Sequence, residues 1–384
     1  MIHRIRIQNF KSLRDVTVEL SPVTVLIGKS GTGKTNFASA IRFLRDWLAG
    51  RPQGSARLSS GPYRELAPPK CATNPSGEVA FEVEFDVPPF VDRFVYTIEL
   101  DTQRGGDAVR TEYLHRGGNP VFRHKRVEGQ HNEPSRWEKA PSIDPVPQPG
   151  AAALWRLPAI EEAAIAHNVL TARIGVYTFG YSVLATPQRP EALAGLADDA
   201  RNFLEVLRDV MSSSHDITAR KAILPALKRV NPTVADVQLD SLQNPTTVIV
   251  GHRLGERILT LDLAQESDGF RRFYAHLLAL YQTPPKQTLV FDEPENGIHA
   301  GALAVLAQEF LAAPGAGRGQ VILTTQSPAL LDHFSAEQIR VVELVDLETR
   351  IGPLAQEQKE SLREELLHAG ELLTVDPARG QPVP

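Results

Sequence analysis

The chain has 384 residues, 42% of them hydrophobic and 23% charged, with 41 Lys and Arg against 46 Asp and Glu. Its length suits a sizeable core and two or three lobes, and its formal charge of −5 gives no overall pull toward nucleic acid, so such a contact needs a local patch. No window approaches 18 uninterrupted apolar residues, and the start Met1-Ile2-His3-Arg4-Ile5-Arg6 lacks the apolar core of a secretory signal, which argues against membrane and export. One cysteine, Cys71, excludes an internal disulfide or a Cys-built zinc site and suits a reducing, cytoplasmic setting.

In chain order, the Ile-rich stretch to Gln8 reads as an opening strand. Asn9-Phe10-Lys11-Ser12-Leu13 reads as a turn, and Val16, Val18 and Leu20 mark a half-buried strand. Next comes Val23-Thr24-Val25-Leu26-Ile27, β-rich, leading into Gly28-Lys29-Ser30-Gly31-Thr32-Gly33-Lys34-Thr35. This fits G-x-x-x-x-G-K-[ST]. Small residues let successive N–H groups turn in on phosphates, Lys34 reaches the β/γ oxygens, and the Thr35 hydroxyl can ligate Mg2+. Phe37, Ile41, Leu44 and Leu48 recur at helical spacing behind it, so the loop opens a helix whose N-terminus adds to the anion site.

Gly50 to Ser60 is loop-like. From Glu78 a period of two appears: Val79, Phe81, Val83 and Phe85 alternate with polar residues, Val87-Pro88-Pro89 stops the ladder, and Phe94–Leu100 makes a second strand. Residues 104–140 are polar, with eight Lys and Arg against five Asp and Glu, including Arg123-His124-Lys125-Arg126. A phosphate-contacting surface and an ordinary solvated insertion both fit this run. Pro141, Pro145, Pro147 and Pro149 mark a stiff linker. From Ala151 to Val230 the character is helical: Leu204, Leu207 and Val210 share one face, and a further helix runs from about Ile217 to Val230, kinked or split at Pro225. Strand-like pieces return at Val234–Leu239, Thr246–Val250 and Ile258–Leu263.

Ser267-Asp268-Gly269 precedes a helix carrying Phe273, Leu277, Leu278 and Leu280, and reads both as an N-cap and as an anion site. Thr288-Leu289-Val290-Phe291-Asp292-Glu293 then ends an apolar run in two carboxylates, the pattern of a buried parallel strand whose C-terminal end meets a ligand. Asp292 would hold Mg2+, mainly through water, and Glu293 would polarise an attacking water.

The order Gly28–Thr35, Ser267-Asp268-Gly269, Leu289–Glu293, Glu295-Asn296-Gly297-Ile298-His299 and Thr324-Thr325-Gln326-Ser327-Pro328 resembles the ABC-type ATPase heads of the SMC/RecF/OLD-like group. The opening Ile5–Leu13 is typical of it, and within the group the chain looks like the short AAA-type ATPases without a long coiled coil. The match is good over residues 1–48 and 255–345 and loose between them. The resemblance implies an α/β P-loop NTPase with a mixed sheet, an antiparallel β lobe and an inserted helical lobe. On that reading residues 1–103 hold the N-terminal part of the head, 104–150 an insertion and Pro-rich loop, and 151–232 the helical lobe. Residues 233–350 then hold the C-terminal part of the head, and 351–384 a helix and a frayed tail.

The resemblance also implies roles. Gly28, Lys29, Ser30, Gly31, Thr32, Gly33, Lys34 and Thr35 would bind ATP, Thr35 and Asp292 Mg2+, and Glu293 and Gln326 would act in hydrolysis with Lys34. Ser267 and Gly269 match the signature that closes over ATP held by a second copy, giving an ATP-dependent head-to-tail homodimer. Lys29 stands where Asn or Arg is usual. Gln326 stands where the switch histidine is expected, and its amide cannot change charge near neutral pH, so turnover is expected to be slow. The glutamine loop has no assigned position in the sequence. Two tasks compete: a DNA-associated machine in repair or antiphage defence, with a separately encoded effector such as a nuclease, and a regulator of a partner protein that never touches DNA. About forty residues follow Val342, too few for the Toprim nuclease domain of OLD-like relatives.

Overall fold

The computed structural model describes residues 1–50, 78–101, 109–127, 136–140, 154, 160–180, 195–212, 217–240 and 247–381. The expected loop beyond Gly50, the run Pro141–Pro149 and Cys71 lie outside the described residues.

The N-terminal part supplies β1 (Ile2–Phe10), β2 (Leu13–Glu19), β3 (Val23–Ile27), α1 (Lys34–Leu48), β4 (Glu78–Phe85), β5 (Phe94–Asp101), β6 (Val109–Arg116), β7 (Asn119–Val127) and β8 (Arg136–Ala140). The middle gives α2 (Glu161–Leu170), β9 (Ile174–Tyr177), α3 (Phe203–Ser212), α4 (Ile217–Val230), β10 (Val234–Asp240), β11 (Thr247–Leu254) and β12 (Arg257–Asp262). The rest is α5 (Asp268–Tyr281), β13 (Thr288–Asp292), α6 (Ala300–Ala312), β14 (Gln320–Thr325), α7 (Pro328–Leu331), β15 (Ile339–Val345), β16 (Glu348–Pro353) and α8 (Gln356–Arg363).

Three sheets result. The central one has the order β16-β15-β3-β14-β13-β9, parallel except for the β15–β16 hairpin. The strands β3, β14, β13 and β9 are buried on both sides because both faces of the sheet are covered there. Along β3, Val23, Val25 and Ile27 face one core with α5, α6 and α7, while Leu26 faces the other with α1. That second core is closed by an antiparallel sheet of order β2-β1-β4-β5-β6-β7-β8, whose inner residues Ile5, Ile7, Phe81 and Phe85 pack toward Phe37, Ile41 and Leu44 of α1. Fully buried side chains such as these each stabilise the fold by roughly 1.5–3 kcal/mol. Helix α1 is thus held between two sheets, which fixes the loop at its N-terminus. A third sheet, β10-β11-β12, leads into α5.

Three expectations are corrected. The segment 104–140 is no separate insertion: β6, β7 and β8 continue the seven-stranded sheet, with Arg123 and Lys125 exposed on its outer face and Phe122 buried on the inner. The helical stretch 151–232 contains β9, which pairs in parallel with β13 at the edge of the central sheet. The C-terminal tail is tied down to residue 381, because the buried Gln358 amide donates to Asp376 Oδ2 at 2.8 Å and accepts from the Arg379 N–H at 2.9 Å. Helix α4 runs unbroken through Pro225.

Asp198, ahead of α3, clamps α1 by accepting from Arg42 Nε at 2.8 Å and from both terminal nitrogens of Arg45 at 2.7 and 2.8 Å. On α5, His276 is buried against Phe179, Phe291 and Phe310, with Nδ1 2.7 Å from the Arg272 carbonyl. Burial pushes its imidazole down from 6.5 to about 4. The unfolded chain therefore takes up this proton first as pH falls. The contribution to stability is complete above about 6.5 and is lost toward pH 4, by up to about 3 kcal/mol. Urea unfolding at pH 7 and pH 4.5 should show a His276→Phe protein losing less stability than the wild type over that interval.

Candidate functional site

The site is built at the C-terminal ends of β3, β14 and β13, where an open α/β sheet presents loops and helix N-termini to a ligand. Gly28–Gly33 leaves β3 and turns into α1 at Lys34. Gly33 is left-handed (φ 108°), and a Cβ there would collide with Thr349 Oγ1, so only glycine fits. The loop is braced from behind by residues far away in sequence. Thr349 Oγ1 donates to the Thr32 carbonyl at 2.7 Å and shares a hydrogen bond with Ser12 Oγ at 2.7 Å, and Ser12 Oγ in turn accepts from Asn36 Nδ2 at 2.7 Å. Gly28 lies against the Val342 carbonyl of β15. Lys29, Ser30 and Gly31 form the exposed rim, and the Lys29 carbonyl accepts from the Thr32 hydroxyl at 2.9 Å.

Lys34 is 3% exposed, and its ammonium folds back on the carbonyls of Gly28 and Lys29 at 2.8 and 2.9 Å. Burial lowers its pKa, while Glu293, Asp292 and Glu295 act in the opposite sense. Thr35 Oγ1 donates to Asp292 Oδ1 at 3.2 Å, and the same oxygen accepts from Thr324 Oγ1 at 2.7 Å. Hydroxyl and carboxylate oxygens are the donor type that Mg2+ prefers. Among the described residues no cluster of three or more His, Cys, Asp or Glu could hold a metal by itself.

Glu293 adopts φ 49°, uncommon for a side chain larger than glycine, and is held there by its N–H donating to Thr324 Oγ1 at 3.0 Å. Gln326 Nε2 donates to its Oε1 and Asn296 Nδ2 to its Oε2, the latter at 3.0 Å. The carboxylate is thereby aimed by two amides, one from the residue just after β14 and one from its own turn. The structure thus gathers Gly28–Thr35, Asp292, Glu293 and Gln326 in one place.

Ser267 and Gly269 belong to another corner. Ser267 caps α5 by accepting from the Phe270 N–H at 3.2 Å, and Gly269 packs so closely on the Gly297 carbonyl that a Cβ would sit 2.7 Å from it. Buried Arg272 binds Asp268 at 3.0 Å and donates to the Asn296 carbonyl, joining α5 to the turn after Asp292-Glu293. Ser267 is exposed at the N-terminus of α5 beside the 296–298 turn, and no hydrogen bond joins it or Gly269 to the Gly28–Thr35 loop among the described residues. Sequence reasoning missed Thr324, Ser12 and Thr349, and gave Glu295 no role. The Thr324-Thr325 pair ending an apolar strand beside β13 was the one available signal. The strand β9 ends beside β13 at Tyr177, and the Thr178 N–H there donates to the Asp198 carbonyl at 3.0 Å.

In fold the chain is similar to the ATPase heads of SMC proteins. Residues 184–332 match the family described as "AAA domain, putative AbiEii toxin, Type IV TA system", and residues 1–50 that described as "AAA ATPase domain". Among solved structures it is similar to an SMC head bound to the C-terminal winged-helix domain of ScpA, at 14% identity and TM-score 0.57, covering 93% of this chain and 99% of that one. It is also similar to the SMC head with an extended coiled coil bound to the C-terminal domain of ScpA from Pyrococcus furiosus, at 12% identity and TM-score 0.55, covering 95% and 99%. No curated protein matches by sequence. No helix among the described residues is long and apolar enough to cross a membrane.

Proposed function

We propose that the chain is an ATP-binding and ATP-hydrolysing switch in which ATP held at Gly28–Thr35 of one copy is covered by Ser267 and Gly269 of a second, and hydrolysis releases the pair. The observation that carries this is the division of the site: the phosphate loop, Asp292, Glu293 and Gln326 converge, while the α5 N-terminus faces outward beside the 296–298 turn. One chain then holds half of each reaction site.

Catalysis on this reading is positioning and electrostatics. Lys34 leaves the Gly28 and Lys29 carbonyls for the β/γ oxygens of ATP. Glu293, aimed by Gln326 and Asn296, orients the attacking water. Mg2+, held by Thr35 and Asp292, would neutralise charge developing on the phosphates. Gln326 can register the γ-phosphate only by rearranging its hydrogen bonds, which favours a slow cycle.

Between the two tasks, the outer face of the seven-stranded sheet favours regulation of a partner protein over DNA contact. Its charges are interleaved and paired, Arg4 with Glu82 at 2.6 Å and Arg93 with Glu84 at 2.7 Å, and Arg123 lies over the Tyr113 ring at 5.2 Å. The SMC heads similar in fold were solved bound to ScpA domains, and the family matched over 184–332 is described with a toxin and a TA system; both support work against a second protein. Salt-dependent DNA affinity that vanishes on neutralising Arg123, Lys125 and Arg126 would restore the DNA reading.

The composite site is tested by phosphate release against protein concentration. Turnover per chain should rise with concentration and then level off. A rate per chain that is constant over a 100-fold dilution series would mean that each chain holds a complete site.

A further inference from the structure

Glu295 has no role in the reading above, yet its placement is specific. The turn Glu293–Ile298 is closed by the Asn296 N–H on the Glu293 carbonyl and the Ile298 N–H on the Glu295 carbonyl, at 3.1 and 3.0 Å, and it sends the Glu295 side chain across to the end of β14. There Oε1 accepts from the Thr325 hydroxyl at 2.7 Å and from the Gln326 N–H at 2.8 Å. Oε2 is buried with no hydrogen-bond partner. Thr325 is itself fully buried and accepts from the Ser327 N–H at 3.0 Å. One carboxylate oxygen therefore fixes the backbone of the residue whose side-chain amide engages Glu293.

Resting on the ATPase reading, we propose that Glu295 is a positioning residue: it sets the Thr325–Gln326 turn so that the Gln326 amide holds Glu293 on line for the attacking water. The geometry distinguishes this from a second acid or a metal ligand. Both bonds fall on one oxygen, and an amide carbonyl can accept both equally well. The buried second oxygen makes the ionised form costly, and burial raises this carboxyl above the ordinary carboxylate range. The side chain is retained here as an acceptor.

The test compares wild type, Glu295→Ala, Glu295→Gln, Gln326→Ala and the double variant Glu295→Ala/Gln326→Ala in single-turnover ATP hydrolysis and in binding of a fluorescent ATP analogue. Glu295→Ala should slow hydrolysis roughly 10- to 100-fold, the cost of a small misplacement of a reacting group, with analogue affinity within about threefold of wild type. The double variant should be no slower than Gln326→Ala, because both changes remove one unit. Glu295→Gln should recover most of the loss. Losses that multiply, or a Glu295→Gln protein as slow as Glu295→Ala, would overturn the proposal. The second readout needs no turnover. The Gln326 side-chain amide resonance, assigned by its absence in Gln326→Ala, should move toward the position of a solvent-exposed amide in Glu295→Ala and stay in Glu295→Gln. A resonance unmoved in Glu295→Ala overturns the positioning role even if the wild type hydrolyses ATP. A wild type without turnover overturns the ATPase reading, while the resonance still decides what Glu295 does to Gln326.

Discussion

A Glu293→Gln protein should release phosphate roughly 10²- to 10⁴-fold more slowly than wild type and still bind ATP. The substitution keeps the shape of the side chain and the backbone hydrogen bond that holds residue 293 at φ 49°. It removes the acceptor that polarises water, and Gln326 then faces an amide in place of a carboxylate. Nothing on the Gly28–Thr35 side changes, so affinity for an ATP analogue should stay within a few-fold. Stopped phosphate release with retained binding places the loss in the chemical step. A variant that keeps more than about a tenth of wild-type turnover would remove Glu293 from that step.

Lys34→Ala should fail earlier, at binding. Lys34 is nearly inaccessible and already sits on two loop carbonyls, in a setting where its charge is poorly hydrated. Losing a buried charged partner costs an anionic ligand about 2–5 kcal/mol, or roughly 30- to 4,000-fold in affinity. The loop itself should survive, because its braces, the Thr349 hydroxyl on the Thr32 carbonyl and Ser12 behind it, do not involve Lys34. Titration with a fluorescent ATP analogue, with a thermal melt alongside, separates lost binding from lost folding.

The parts legible in the sequence were those whose signal is local. The strand–loop–helix Val23–Leu48 carries its own period change and glycines, and Thr288–Asp292 is an uninterrupted apolar strand. The parts that were hidden depend on distant partners. β9 is four residues long and contains Gly175; only pairing with β13, more than a hundred residues later, makes it a strand. β6 and β7 escaped because their alternation is broken twice. A register shift falls between Leu114 and His115, and polar groups sit on the inner face, where buried Glu112 accepts from the Tyr96 hydroxyl and the Leu154 N–H, both at 2.8 Å. The C-terminal segment read as frayed because its hold is the buried amide of Gln358 and backbone hydrogen bonds such as Ala355 to Arg379 and Gln381 to Pro353, none of which has a periodicity to announce it. The same holds for Thr349 and Ser12, which meet across 337 positions. Glu295 was visible as a residue, but its function lies in which oxygen accepts which N–H, and composition does not encode that.

The most direct measurement is the mass of the Glu293→Gln protein by light scattering, with and without ATP and Mg2+. A monomer is expected without nucleotide and a doubled mass with it, and a Ser267→Arg change in the same background should abolish the doubling by placing a bulky side chain at the N-terminus of α5. ATP binding with no change in mass would contradict the shared site, and with it the assignment of Ser267 and Gly269.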